Sequence, residues 1–233
     1  MTSADALAAL RDITTATITT VLLKKGIRNA YMRGPMPLSE GGKRVVGAAF
    51  TMRFIPARED LAVPEAWASP RSTRAAIEDM PAGVVAVADA RALREAAIFG
   101  DILVARMVQR GVAALVTDGT MRDADGVRET GLPVWCTGAA APSSVAGHIF
   151  VGWQEPIGCG GVAVFPGDII VADGDGAVVV PPALVEEVAK LGAEQERFEN
   201  WALGEVLKGS ALPGLYPPNE ATKARYEAEK KRG

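Results

Sequence analysis

Three charged residues stand where ligand chemistry is expected. Asp101 opens a stretch with helical periodicity, and Arg122 and Asp123 come just after the apolar run VAALVT. A guanidinium and the backbone N–H groups of a helix start suit a small carboxylate. The two aspartates suit a hard divalent cation. A plainer interpretation is equally open on spacing alone: Asp101 caps a helix, and Arg122 and Asp123 form an exposed ion pair.

Alternating strands and helices must position these residues. The apolar runs predict strands at 83–90, 112–117 and 132–137, with helices between them at 101–110 and 123–130. This alternation predicts parallel pairing with right-handed crossovers. Ligands bind beyond the carboxyl ends of such strands. The helix start at Gly100 and Asp101 should therefore face the same crevice as Arg122 and Asp123.

The rest of the chain predicts further elements around this unit. In chain order these are one or two helices in 3–25, an extended arm in 28–44, a strand at 45–55, hairpins after 150 and a long polar helix at 182–208. The C-terminal arm, 211–233, is too polar to pack alone. We expect it to wrap a neighbouring subunit or to end in a free helix. The whole chain, 1–233, is expected to form one domain with its core in about 15–210.

Composition argues against several classes of protein. With 233 residues, a formal charge of −3 and 6% aromatic residues, the chain offers no general attraction for nucleic acid or an anionic membrane and no base-stacking platform. Its apolar stretches are too short to span a membrane, and its start, MTSADALAALRDI, lacks the order of a signal peptide. Cys136 and Cys159 fit two buried thiols in a reducing cytoplasm, so we expect a cytoplasmic protein.

Other motifs favour structural roles. GCGGVAVFPGD (158–168) matches neither a dinucleotide-binding nor a phosphate-binding loop, and it predicts a tight turn between strands. DGDG (173–176) lacks the later ligands of a calcium loop and predicts a hairpin turn. His148 is the single histidine, with no metal partners at suitable spacing, so a structural or surface role is favoured. Ser143 and Ser144 lack the GxSxG pattern of a hydrolase.

The charged residues and their surroundings resemble the RraA-like family, which includes the class II 4-hydroxy-4-methyl-2-oxoglutarate/4-carboxy-4-hydroxy-2-oxoadipate aldolases. Asp101, twenty intervening residues and then Arg122-Asp123 match the family's aspartate–spacer–Arg-Asp signature. GDIL, GVAALVTDG, GLPVW and FPGDIIVADGDGAVVVP are similar to its other blocks, over roughly residues 15–210. The resemblance implies an α/β fold: a three-layer β/β/α sandwich resembling the swivelling phosphohistidine-type domain, with N- and C-terminal helical arms. It also implies a homo-oligomer, a trimer or a pair of trimers.

The resemblance also assigns roles in a pyruvate site. Substrate would lie against the backbone of Gly100, Asp101, Ile102 and Leu103, and Arg122 would hold its carboxylate. Asp123 would support a Mg²⁺ or Mn²⁺ ion, largely through water, and Asp101 would order water near that metal. A catalytic glutamate would come from the C-terminal helix of a neighbouring subunit; Glu199 is the best match, and Glu196 is the alternative.

The function that this implies is a divalent-metal-dependent lyase. It would cleave a 4-hydroxy-2-oxo acid to pyruvate and a carbonyl product, and would decarboxylate oxaloacetate as a side activity because both reactions pass through the same enolate. The alternative is a non-catalytic regulator that binds an RNA-degrading endonuclease, with no direct nucleic-acid contact. The three charged residues favour the enzyme. The chain departs from the family pattern in two features that bear on the expected substrate. Its N- and C-terminal arms are longer than those of compact members, and Gly126 stands where some aldolases of the family carry an acidic residue.

Overall fold

The helices and strands follow the predicted order, with several short strands added. The computed structural model describes residues 4–39, 41–42 and 44–230. The elements are, in chain order, α1 (Ala4–Leu10), α2 (Thr15–Lys24), β1 (Tyr31–Met32), β2 (Met36–Pro37), β3 (Val45–Pro56), α3 (Thr73–Asp79), β4 (Val85–Asp89), β5 (Ala97–Phe99), α4 (Asp101–Gln109), β6 (Ala114–Thr117), β7 (Thr120–Met121), α5 (Ala124–Glu129), β8 (Val134–Cys136), β9 (His148–Trp153), β10 (Ile157–Cys159), β11 (Val162–Val164), β12 (Ile169–Asp173), β13 (Gly176–Val180), α6 (Val185–Leu207) and α7 (Glu220–Lys230).

The main sheet is organised by β3, whose two halves pair with different strands. Residues 45–48 pair antiparallel with β12, and residues 49–53 pair in parallel with β4. The strand order is β1-β13-β12-β3-β4-β6-β8-β2, and β9 also pairs with β3. The predicted parallel pairing is confirmed, because β4 pairs with β6 and β6 with β8 in that sense.

Three buried apolar clusters separate four layers. One lies between α3–α5 and the β4-β6-β8 half of the sheet and includes Phe99 and Met107. A second lies between the two halves of the sheet and includes Val116 and Ile170. The third lies beneath α1, α2 and α6 and includes Leu10. The predicted mixed α/β class is confirmed, and the terminal arms supply the outer helical layer. The likeness to a phosphohistidine-type domain stays a prediction.

Both ends of the chain pack more closely than the sequence predicts. Leu10 and Ile13 are fully buried, so the core begins before residue 15. At the other end α7 packs on α6 of the same chain, where the ring of Tyr226 lies 5.3 Å from that of Phe198 and 5.4 Å from that of Trp201. The prediction of a free helix is therefore wrong, because aromatic residues give this polar segment an apolar seam. That the arm wraps a neighbouring subunit stays a prediction.

The two turns predicted from the glycine-rich segments 158–168 and 173–176 are present. β10 and β11 form a hairpin across Gly160 and Gly161, which both have positive φ, and Asp173 pairs with Gly176 across the DGDG turn. Cys136 and Cys159 are buried as predicted, and burial raises the pKa of both thiols. Position 3 of the predicted N-terminal helix, positions 40 and 43 of the arm and positions 231–233 of the tail lie outside the described residues.

No single helix in the described ranges has the length and apolar composition needed to cross a membrane. Helices α1 and α2 meet that test only when taken together, and they are bent by 116°.

Candidate active site

The ends of two short strands deliver the predicted charged cluster. β5 pairs in parallel with β7, and the backbone N–H of Arg122 donates to the carbonyl of Phe99 at 2.9 Å. Arg122 therefore lies beside Gly100 at the start of α4. The sequence places Arg122 directly after β6, whereas the structure inserts the two-residue strand β7. A strand of two residues carries no periodicity from which it could be predicted.

Helix α4 begins at Asp101, so Asp101 is the first helical residue and not the cap. Gly100 is the N-cap, and its carbonyl accepts from the N–H of Val104 at 3.1 Å. The Asp101 carboxylate accepts from the N–H of Ile102 at 2.7 Å. One of the N–H groups expected to hold a substrate carboxylate is thus already engaged. Ile102 is 80% exposed, while Leu103 packs partly on the core.

Arg122 and Asp123 pair with each other at the surface. The Arg122 Nε atom lies 3.1 Å from Asp123 Oδ2, and the two side chains are 41% and 45% exposed. Asp123 has φ 50°, a left-handed conformation at the N-cap of α5. Aspartate tolerates this region better than most residues. An ion pair this exposed contributes little to stability, so a ligand can replace either partner at small cost.

Two glycines let the carboxylates lie against the backbone. A Cβ at Gly100 would lie 2.8 Å from Asp123 Oδ2, and a Cβ at Gly126 would lie 2.8 Å from Asp101 Oδ2. Gly100, Asp101, Arg122, Asp123 and Gly126 therefore form one surface, which we call the Arg122 cleft. The departure at position 126 has a physical reason: the Asp101 carboxylate occupies the space that a side chain there would need.

A buried aspartate that the sequence did not single out holds this edge of the sheet together. Asp118 follows β6 and accepts from the N–H of Ala90 at 2.7 Å and from the N–H of Gly160 at 3.1 Å. Burial raises the pKa of its carboxyl group. Asp118 thus fixes the segment that leads to Arg122. The available signal was an aspartate directly after the predicted strand 112–117, whose β6 residues are all buried.

The carboxylates of the Arg122 cleft fit a magnesium-like ion. Across the described residues, no three or more His, Cys, Asp or Glu side chains are grouped as a complete protein-only metal site. Mg²⁺ keeps several waters and binds through one or two carboxylates together with substrate. Asp123 has the chemistry for this mode of binding, with Asp101 close enough to order water beside it, and a bound ion stays a prediction.

Glu199 lies in another layer of the same chain. It is on α6, which packs against α1 and α2, whereas Arg122 lies between α4 and α5. Its carboxylate accepts from Gln195 at 2.7 Å and from the hydroxyl of Tyr216 at 2.9 Å. The structure of one chain does not bring Glu199 to the Arg122 cleft, and its approach from a neighbouring subunit stays a prediction.

The alternative, Glu196, has a structural task. Its carboxylate accepts from the N–H and the hydroxyl of Thr14 at 2.8 and 2.7 Å, which ties α6 to the start of α2. Burial acts to raise the pKa of Glu196, but these hydrogen bonds outweigh burial and lower it. Glu199 is therefore the better candidate of the two.

Comparison with known proteins identifies the family of this chain. Residues 11–179 match the family described as RraA-like, Aldolase/RraA. The chain belongs to the RraA-like family. A solved structure of RraAS2 from Streptomyces coelicolor, described as an unusual member of the RNase ES inhibitor RraA protein family, is 35% identical and has a TM-score of 0.77. The alignment covers 86% of this chain and 96% of RraAS2.

Two curated relatives extend the comparison. A protein of Halalkalibacterium halodurans, provisionally named a 4-hydroxy-4-methyl-2-oxoglutarate aldolase, is 33% identical over 69% of this chain and 70% of its own length. Protein DlpA of Legionella pneumophila is 29% identical over 76% of this chain. The match spans only 28% of DlpA, so DlpA contains a large region with no counterpart here.

Proposed function

We propose that this RraA-like chain is a divalent-metal-dependent aldolase that cleaves a 4-hydroxy-2-oxo acid into pyruvate and a carbonyl product. The observation that carries the proposal is the Arg122 cleft, where a guanidinium and two carboxylates meet against two glycines. The provisional aldolase name of the Halalkalibacterium relative supports it. We expect oxaloacetate decarboxylation as a side activity.

The charged residues of the cleft would have different roles in binding. Arg122 would leave its exposed pair with Asp123 and bind the substrate carboxylate through two parallel hydrogen bonds. This exchange frees the Asp123 carboxylate for Mg²⁺ or Mn²⁺, and Asp101 would hold water close by. The ion, when bound, would stabilise the negative charge that develops on the 2-oxo oxygen.

The reaction also needs two proton transfers. The C3–C4 bond breaks as the 4-hydroxyl group loses its proton and C4 becomes a carbonyl carbon, and C3 then takes a proton to become the methyl group of pyruvate. Asp101 would position the water that accepts the hydroxyl proton. The cleft is open to solvent in the single chain, and we propose that Glu199 of a neighbouring subunit completes it in a trimer or hexamer.

Pyruvate release tests this proposal. The protein is incubated with 4-hydroxy-4-methyl-2-oxoglutarate, 4-carboxy-4-hydroxy-2-oxoadipate and oxaloacetate, with Mg²⁺ or Mn²⁺ and then with a chelator. We expect metal-dependent release, and a fall in kcat/KM of about a hundredfold or more in Arg122→Ala. Arg106→Ala is the matched control, because Arg106 lies on α4 but pairs with Glu78 at 2.8 Å. Absence of metal-dependent release from all three substrates would contradict the proposal.

A second candidate function follows from the description of RraAS2 as a member of an RNase-inhibitor family. The chain would then bind an RNA-degrading endonuclease and inhibit it without chemistry of its own. Purified endonuclease, a labelled RNA and increasing amounts of this protein distinguish the two functions. Inhibition that survives Arg122→Ala, combined with no pyruvate release by the wild type, would favour the regulator.

A further inference from the structure

The C-terminal arm places a tyrosine hydroxyl on the Glu199 carboxylate. The segment that joins α6 to α7 is anchored by Leu215, which is 4% exposed, and by the packing of α7 on α6. Tyr216 follows Leu215, and its hydroxyl donates to Glu199 Oε1 at 2.9 Å. The arm therefore reaches back to the helix that carries Glu199 and contacts the functional end of that side chain.

Both hydrogen bonds that Glu199 accepts end on the same oxygen. Gln195, one turn earlier on α6, donates from its side-chain amide to Oε1 at 2.7 Å, and the Tyr216 hydroxyl is the second donor. A carboxylate oxygen has two lone pairs, so Oε1 is fully occupied. Oε2 makes no hydrogen bond with the described residues. Oε2 is therefore the oxygen left to exchange a proton.

The donors that hold Glu199 are neutral, in contrast to those of two other glutamates on α6. Glu194 and Glu205 each pair with two basic side chains at 3.0 Å or less. Glu199 has no such ion pair within the described ranges. A cation stabilises the charged carboxylate more strongly than a neutral donor does. Gln195 and Tyr216 thus fix the Glu199 side chain while leaving its charge without a counter-ion.

The carboxylate lies beside exposed apolar surface. Leu203, one turn after Glu199 on the same face of α6, is 56% exposed, and Tyr216 is 50% exposed. A neighbouring subunit that reaches Glu199, as the proposed function requires, would cover these side chains and exclude water from them. Hydrogen bonds to a charged group strengthen where water is excluded, so the two donors would hold Glu199 most firmly in the assembled site.

We propose that Tyr216 and Gln195 position Glu199 for proton transfer in the Arg122 cleft of the neighbouring subunit. The proposal rests on the proposed aldolase function. With Oε1 held by the two donors, Oε2 would take the proton that the 4-hydroxyl group loses, through the water that Asp101 positions, and would return a proton to C3. No net proton is gained or lost. Tyr216 and Gln195 are positioning residues, because they act through Glu199.

Tyrosine titration tests the contact without any activity. The hydrogen bond to the Glu199 carboxylate, together with its charge, raises the pKa of the Tyr216 hydroxyl. The chain contains three tyrosines, so ring ¹³C labels give three signals, and Tyr216→Phe identifies one of them. Glu199→Gln should lower the pKa of Tyr216 and leave that of Tyr226 unchanged. A Tyr216 pKa that does not respond to Glu199→Gln would overturn the proposal.

The kinetics of pyruvate release test the positioning role. Tyr216→Phe and Gln195→Met each remove one donor, and each should lower kcat about threefold to tenfold. KM should stay within about twofold of the wild type, because Arg122 still binds the substrate carboxylate. The double variant should lose more activity than either single variant, since Oε1 then has no donor. A loss that appears only in KM would overturn the positioning role.

Tyr226→Phe is the matched control. Tyr226 also belongs to the arm and donates to a glutamate of α6, Glu194, at 3.1 Å. Tyr226→Phe should keep the kcat of the wild type, and an equal loss in this variant would overturn the specific role of Tyr216. Full kcat in Tyr216→Phe combined with Gln195→Met, while Glu199→Gln is inactive, would overturn the positioning role and leave the aldolase in place. Absence of pyruvate release from the wild type would overturn both.

Discussion

At the scale of single residues, the glycine at position 126 decides where the Asp101 carboxylate can lie. A Cβ there would meet Oδ2 of Asp101 at 2.8 Å and its Cβ at 3.0 Å. Gly126→Ala should therefore push Asp101 out of the Arg122 cleft. Given the proposed function, we expect kcat/KM for pyruvate release to fall about tenfold to a hundredfold, measured alongside the free energy of unfolding.

Gly204→Ala is the control for this substitution. Gly204 lies inside α6, and an added Cβ would meet nothing within 4 Å. Alanine in a helix interior is favoured over glycine by about 0.5–1 kcal/mol, so Gly204→Ala should stabilise the protein and leave pyruvate release unchanged. Gly126→Ala should raise the free energy of unfolding by less than Gly204→Ala does. If Gly126→Ala raised it by as much and kept full activity, the position of the Asp101 carboxylate would not depend on the glycine at 126.

The charged residues of the cleft were the most predictable part of the site. Asp101, Arg122 and Asp123 follow or precede recognisable elements, and the geometry of parallel strands places such positions at one edge. Their hydrogen bonds were not predictable. The bond from Ile102 to Asp101 and the pair between Arg122 and Asp123 depend on side-chain rotamers, which a residue pattern does not specify.

At the scale of elements, Asp173 joins the β12–β13 turn to α2 and to the segment before β3. Its carboxylate accepts from the N–H and hydroxyl of Thr15 at 2.9 and 2.6 Å and from Arg44 at 3.2 Å. Burial acts to raise the pKa of Asp173, but the hydrogen bonds outweigh it and lower the pKa below the usual value. A lowered pKa gives stability that is present above about pH 4 and is lost as the pH falls further.

Asp173→Asn should therefore lose about 1–3 kcal/mol of unfolding free energy at pH 7. The difference from the wild type should shrink as the pH falls below about 4, because protonation removes the same charge from the wild type. Denaturant unfolding at a series of pH values measures this. Asp175→Asn, an exposed side chain in the same turn, should change little. A difference that stays constant down to pH 3 would show that the charge of Asp173 is not what stabilises the turn.

The longer elements were predictable and the shorter ones were not. Strand β4 and helices α4 and α6 have enough residues to show periodicity. The strands β5, β7 and β9 were missed, because their pairing depends on partners distant in the chain and their own residues show no alternation. The packing of α7 depends on Tyr226 meeting Phe198 and Trp201, and that contact becomes visible only after α6 and α7 are placed.

At the scale of the whole molecule, the four layers separate the two parts of the proposed catalytic machinery. Arg122 belongs to the layer of α4 and α5, whereas Glu199 belongs to the opposite helical layer. Glu199 is partly exposed and is held by Gln195 and Tyr216, which keeps its position defined without burying it. If Glu199 takes part in the reaction, the site must be shared between subunits.

Subunit mixing tests this sharing. Arg122→Ala and Glu199→Gln should each lose most of the pyruvate-releasing activity when assayed alone. After the two variants are dissociated, mixed in equal amounts and reassociated, some sites combine an intact Arg122 from one subunit with an intact Glu199 from its neighbour. Random mixing in a closed ring gives about a quarter of the sites both residues, so about a quarter of wild-type activity should return.

The activity should scale with the fraction of mixed oligomers, which separation of differently tagged subunits measures. Mixed oligomers with no more activity than the parents would contradict this sharing of Arg122 and Glu199, and a Glu199→Gln variant that is fully active alone would remove Glu199 from the proposed machinery.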